Sequence, residues 1–264
     1  MQSSFSSIPY AWLPLCGCNQ GVHLFSNYKK RMTSRRNEFI TVSIIALVLA
    51  GAFIAMPGID IFASGLAFRD GAWLLPRDSS WLYPIYVGLP RLGQLLFIVI
   101  ALLWALSRFD RFGKFYAKRQ VLTFLLAGII IGPVLVVDVG LKDHSGRARP
   151  INVQEFGGAK QFTPAFIPAD QCTHNCSFVS GHVVGTSFLM AFGWLGTSLQ
   201  RRRWLVGSLV AASIVGIARI IPGGHFLSDV LFAWLFVYFS LWLTEGGLQL
   251  LGWKAPEHRE QHSC

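Results

Sequence analysis

Six apolar stretches, each near the length of one bilayer crossing, constrain this chain more than any other feature. They run about Phe39–Met56, Leu92–Leu106, Val121–Leu141, Val183–Leu199, Trp204–Ile221 and Phe226–Leu243, the last extending toward Leu251. A helix of ~20 apolar residues crosses ~30 Å of hydrocarbon, and only helices or closed barrels satisfy their backbone there. Composition agrees: 53% of the residues are hydrophobic and 14% charged, against about 25% charged in a soluble domain. That balance excludes a disordered chain and a disulfide-built secreted module, and it fits a nucleic-acid-binding domain poorly. The expected fold is therefore an all-α, polytopic membrane bundle of six transmembrane helices. No internal repeat interrupts it.

The net charge of +10 is unevenly placed. Lys29, Lys30, Arg31, Arg35 and Arg36 precede the first span. Arg108, Arg111, Lys114, Lys118 and Arg119 separate the second and third, and Arg201, Arg202 and Arg203 the fourth and fifth; Lys254 and Arg259 follow the sixth. These loops share one side, which the positive-inside rule assigns to the cytoplasm with both termini. Three parts are expected: a basic cytoplasmic tail over 1–36, a membrane domain over 37–252 and a cytoplasmic tail over 253–264. Met32 is a candidate true start, since residues 1–35 carry no signal-like apolar run. The opposite side holds residues 58–91, 142–182 and 222–225, its first loop carrying Trp73, Trp81 and Tyr83 suited to a membrane interface.

Three polar clusters fall on that outer side. The first holds Lys142, His144, Arg147 and Arg149-Pro150. Positive charge here opposes the topological signal, so an anionic ligand explains it better than orientation does. The second is Ser177-Phe178-Val179-Ser180-Gly181-His182, where Gly181 admits close approach and helix-start N–H groups favour anions; alone it also reads as a cap and turn. The third is Arg219 through His225 to Asp229. Charges in apolar helices need partners, so an Arg219–Asp229 ion pair is its plain alternative. His225 and Asp229 are four apart and share a face if the helix starts near the histidine. A carboxylate can fix one imidazole tautomer and leave the other nitrogen to attack. The 36 residues between His182 and Arg219 make about 54 Å of helix, which folded once at Arg201–Arg203 returns both residues to one face. Four cations and two histidines then converge, a set suited to a phosphate oxyanion.

Together, Lys142-x6-Arg149-Pro150, Ser180-Gly181-His182 and Arg219-x5-His225-x3-Asp229 resemble the three-part signature of the type 2 phosphatidic acid phosphatase superfamily. The resemblance covers roughly residues 90–250. Val179 stands where the family usually has proline, and Ala218 where it has serine. The resemblance implies His225 as nucleophile, Asp229 as its orienting carboxylate and His182 as general acid. It also implies phosphate binding by Lys142, Arg149, Arg219, Ser180 and the Gly181 N–H. No cofactor and no metal is implied. Arg147 lies outside the motif and reads as a residue behind the site or one touching a substrate headgroup. Asp138, one turn before Lys142, can pair with it and aim it, or pair for structure alone.

Within the superfamily, the stretches around Arg147–Pro150 and Asn175–His182 look most like bacterial lipid A phosphatases, which act on the 1- or 4′-phosphate at the periplasmic face of the inner membrane. A lipid phosphate in a bacterial inner membrane is the expected substrate, with no nucleic-acid partner; the sequence leaves oligomeric state open. Alternatives are an undecaprenyl-diphosphate or phosphatidylglycerophosphate phosphatase, a phosphotransferase passing the group to a second lipid, and a transporter or phospholipid-binding protein. A binder needs the cations but not a histidine–aspartate pair. Phe156, Lys160, Phe162 and Phe166 in the long outer loop can cover the site or serve as plain connection. Of five cysteines, Cys172 and Cys176 lie in this loop, where an oxidising periplasm favours a disulfide and free thiols are the alternative. Cys16, Cys18 and Cys264 are expected as cytoplasmic thiols.

Overall fold

A computed structural model describes residues 20–76, 79–109 and 118–255, with side chains described from residue 33 onward. Residues 1–19, 77–78, 110–117 and 256–264, and with them Cys16, Cys18 and Cys264, lie outside the described residues. By contacts the chain divides into two units, Met1–Thr41 and Val42–Cys264. In the first, the described backbone is helical from Gln20. The second holds every outer-face cluster named above.

The chain is helical, with one short strand pair among the described residues. Helix α1 is Gln20–Ala55 and ends at Pro57, after which α2 (Gly58–Gly65) turns away. Strands β1 (Phe68–Arg69) and β2 (Ala72–Trp73) form a tight antiparallel hairpin. Helix α3, Pro84–Leu106, begins eight residues before the span expected from Leu92, with π winding over Pro84–Gly88. Helix α4, Arg119–Lys142, widens to π winding from Ile130, beside Pro133, which has no N–H for the ladder. Then come α5 (Gly181–Ser187), α6 (Met190–Trp194), α7 (Ser198–Ile220) and α8 (Leu227–Leu250).

Among the described residues, five helices are long and apolar enough to cross a membrane, those of Thr33–Ala55, Pro84–Leu106, Arg119–Lys142, Ser198–Ile220 and Leu227–Leu250. The fourth expected span departs from this pattern. It is the pair α5–α6, broken at Phe188–Leu189, where N–H groups of Leu189, Ala191 and Phe192 reach back three residues instead of four. The Thr186 hydroxyl adds a bond to the His182 carbonyl. Gly193 packs so closely that a Cβ there would sit 2.4 Å from the Trp204 ring, so α6 leans directly on α7.

Helix α8 is the axis of the bundle. Its apolar window is 61% buried, against 6% for α3. Along α7, Val206, Val210, Ile214 and Ile217 recur every three or four residues and all face outward. A stripe of that size would aggregate in water and is satisfied by lipid. Gly216 lets α7 approach α8, since a Cβ there would meet Val230 at 2.3 Å. Thr197 and Gln200 close the start of α7 with a reciprocal capping box.

Candidate active site

Helix order places the three clusters together. Helices α4 and α7 end, and α5 and α8 begin, at one end of the bundle, which delivers Lys142, Arg219, Gly181 and His225 to a common region. Cross-ties hold the loops between them. Ser180 N–H donates to the Asp229 carbonyl, Ser177 N–H to the Arg147 carbonyl and Ile151 N–H to the Gly223 carbonyl.

His225 precedes α8 in a turn that closes α7. The N–H groups of Gly224 and His225 both reach the Arg219 carbonyl, with Gly223 in the left-handed region at φ 68°. Trp73 occupies the place a Gly223 side chain would take. The His225 ring is buried, and its Nδ1 lies 2.8 Å from the Ser177 carbonyl and 3.5 Å from Asp229 Oδ2. A carbonyl only accepts, so Nδ1 carries the hydrogen and Nε2 holds the lone pair. The nearer acceptor of that proton is thus a backbone oxygen, with the carboxylate behind it. Burial lowers His225 to a pKa of about 4 despite Asp229, and keeps the ring neutral.

Asp229 does more than face the histidine. Its Oδ2 accepts from the Phe226 N–H at 2.8 Å, capping α8, and from the Ser177 hydroxyl. Its Oδ1 accepts from Arg147 Nη1 at 2.6 Å. Arg147 is buried beneath this group and donates also to Asp60 Oδ2 at 2.8 Å, to the Ser228 hydroxyl and to the Thr163 carbonyl. Its guanidinium lies 4.3 Å over the Phe226 ring. The Arg147 side chain is 1% exposed.

His182 stands in the first turn of α5. Its Nε2 is 3.2 Å from the Tyr86 carbonyl and its ring packs against the Tyr86 ring. The Arg219 guanidinium lies 3.8 Å from the centroid of the same tyrosine ring. Burial, then the positive charge of Arg219 with smaller contributions from Lys142 and Arg149, lowers His182 to about 4. Lys142 is aimed by Asp138 at 2.8 Å and abuts Gly181, where a Cβ would sit 2.5 Å from Nζ. A side chain at Gly181 would displace the ammonium from this position. The Ser180 hydroxyl is buried with no hydrogen bond among the described residues.

Arg149 Nη2 donates to the carbonyl and side-chain oxygens of Asn175 at 2.9 and 3.1 Å. Cys172 and Cys176 are disulfide-bonded, and Asn175 sits inside that small ring in the left-handed region. Phe156 and Phe162 point inward, joining Phe68, Trp73 and Phe226 in an aromatic cluster. Phe166 packs on Phe178 and Phe232. These rings support the loop from within, while Lys160 is exposed.

From Lys142, Gly181 and His182 a cleft of about 350 Å³ runs between α3, α4 and α5. Beyond those three residues and Asp138 its walls are mainly apolar, with Leu92, Leu96 and Leu189 among them. Tyr86, Asp60, Asn175 and the Ser177 carbonyl were not singled out from sequence. In the sequence Ser177 falls within Asn175–His182 and Asp60 within the loop 58–91, and neither position carries a motif.

The PAP2 superfamily model matches residues 119–248. A lipid A 4′-phosphatase of Francisella tularensis subsp. novicida (strain U112) is 34% identical over 195 residues, covering 73% of this chain and 87% of that protein. Lipid A 4′-phosphatases of Rhizobium leguminosarum and Rhizobium etli are 35% and 36% identical, over 71% of this chain each and 86% and 78% of theirs. No solved structure matches.

Proposed function

The chain belongs to the PAP2 superfamily, and on that premise we propose that it is a bacterial membrane lipid phosphatase that hydrolyses the 4′-phosphomonoester of lipid A. The observation that carries this is the convergence of Lys142, Arg149, Arg219 and two histidines, with Lys142 and His182 lining a mostly apolar cleft. A soluble ester needs no such cleft; a lipid does. The choice of the 4′ position rests on the named activity of the relatives.

Residues 37–252 form the phosphatase domain, with tails 1–36 and 253–264 in the cytoplasm and the site on the periplasmic face of the inner membrane. The basic loops support this orientation. His225 Nε2 attacks phosphorus as the bond to the leaving oxygen breaks, and His182 gives that oxygen a proton. Water then attacks the phosphohistidine, the N–P bond breaks and His182 recovers a proton. Lys142, Arg149, Arg219, the Ser180 hydroxyl and the Gly181 N–H receive the phosphoryl oxygens. Asp229 orients His225, Asp138 aims Lys142 and Arg147 supports Asp229 from behind.

Purified protein in detergent, incubated with lipid A, is expected to release one phosphate, with mass spectrometry placing the loss at the 4′ position. Loss at the 1-position alone would move the assignment within lipid A; no loss, with release from another lipid phosphate, would move it to that lipid.

The depressed pKa of His182 makes a second expectation. Burial and then three cations hold it neutral, but the proposed acid must carry a proton. A bound oxyanion offsets those cations and raises His182. The bound state then holds more protons than the free one, so anion affinity strengthens as pH falls toward about 4. Sulfate keeps its charge over this range. Its inhibition constant is expected to tighten as pH falls from about 7 to 5, by at most ~10-fold per pH unit for one proton taken up. The slope should largely vanish in His182→Asn; a flat profile in the wild type would remove the charge coupling.

A further inference from the structure

We propose that Asp60, on α2 and outside all three clusters, is a positioning residue of the reaction that acts on His225 through Arg147 and Asp229. The inference rests on the phosphohistidine reading above. Asp60 is 1% exposed and fully engaged. Its Oδ1 accepts from the Ser228 N–H at 2.8 Å, and its Oδ2 from the Ser228 hydroxyl at 2.6 Å and from Arg147 Nη2 at 2.8 Å. Arg147 Nη1 bridges onward to Asp229, whose other oxygen lies 3.5 Å from His225 Nδ1. The chain Asp60–Arg147–Asp229–His225 is continuous and buried at every member.

The charge count gives this chain its meaning. Burial raises the pKa of Asp60, while Arg147 and the two Ser228 donors lower it; with Asp60 and Asp229 ionised, two carboxylates face one guanidinium, and the neutral His225 ring adds nothing. Within this buried network one negative charge is in excess, offset in part by Arg149 and Arg219, whose charges also reach His225. Burial there is costly unless another cation forms nearby. Attack by Nε2 supplies it. When the N–P bond forms and Nδ1 keeps its hydrogen on the Ser177 carbonyl, the ring becomes a phosphoryl-imidazolium with one positive charge. The network is then balanced in the intermediate and unbalanced in the resting enzyme, which is the sign that favours nucleophilic attack. Without Asp60, Arg147 and Asp229 neutralise each other and the bias is lost.

The same contacts also tie α2 to α8, so the test separates charge from tether. In full-length protein in detergent with lipid A as substrate, Asp60→Asn preserves shape and removes charge. The expected result is a kcat lower by roughly 10- to 100-fold with KM changed less than about threefold. Sulfate inhibition should be unchanged, because Lys142, Arg149 and Arg219 are untouched. A kcat within about twofold of wild type would overturn the proposal. So would a lower kcat accompanied by a raised KM, weaker sulfate binding and lower thermal stability. If Asp60→Asn does not yield folded protein, Ser228→Ala removes the hydroxyl bond to Asp60 and the bond from Arg147, keeps the backbone N–H bond to Asp60, and removes no charge. It should lower kcat by about three- to tenfold at constant KM, and an unchanged kcat would again overturn it. Failure of the underlying reading looks different: wild-type enzyme releasing phosphate without an acid-labile phosphoryl-enzyme would remove the phosphohistidine itself.

Discussion

His225→Ala should lower phosphate release from lipid A by at least about a thousandfold, with sulfate affinity within a few-fold of wild type. The variant removes the only atom proposed to bond phosphorus and leaves the oxyanion-binding side chains in place. Burial makes the effect severe: no water of the bulk solvent reaches this position to substitute for the ring without a cavity first opening. Assay in detergent separates the outcomes. Loss of turnover with retained sulfate binding identifies a nucleophile. Undiminished turnover would reject covalent catalysis by this residue. A binding or transport protein would instead keep its lipid affinity and show no turnover in either form.

Arg147→Met should be the most damaging substitution for stability, at about 3–5 kcal/mol, because it leaves two buried carboxylates without their shared partner. The side chain is 1% exposed and donates to four acceptors, so water cannot replace it cheaply. Thermal unfolding in detergent, compared with a conservative change at exposed Lys160, measures the loss. Asp60→Asn combined with Arg147→Met should recover part of it, since only Asp229 then remains unpaired. Full additivity of the two single changes would mean that the ion pair carries no coupling energy.

The convergence of Lys142, Arg149, Arg219, His182 and His225 was legible in sequence because helix length is fixed by the bilayer. Once topological charges were set aside, residues at the same helix ends had to meet. The partners were less legible for a physical reason. Tyr86, Asp60 and Asn175 reach the site from segments with no periodic relation to the motifs, so spacing carries no trace of them. The Nδ1 partner of His225 is a backbone carbonyl, which every residue possesses. The break between α5 and α6 escaped hydropathy because averaging over apolar residues cannot see three-residue hydrogen bonds or the fit of Gly193 against Trp204.

Asp229 both caps α8 and anchors the network behind His225. Selection on the reaction and selection on the architecture therefore act on one carboxylate. A lineage that abandoned the chemistry would be free to drift at His225 and His182, but not at Asp229, Arg147 or Asp60. Among descendants of this fold, a chain that keeps the buried trio and lacks the histidines is the expected form of a retired enzyme, and the order of loss records which pressure was lifted first.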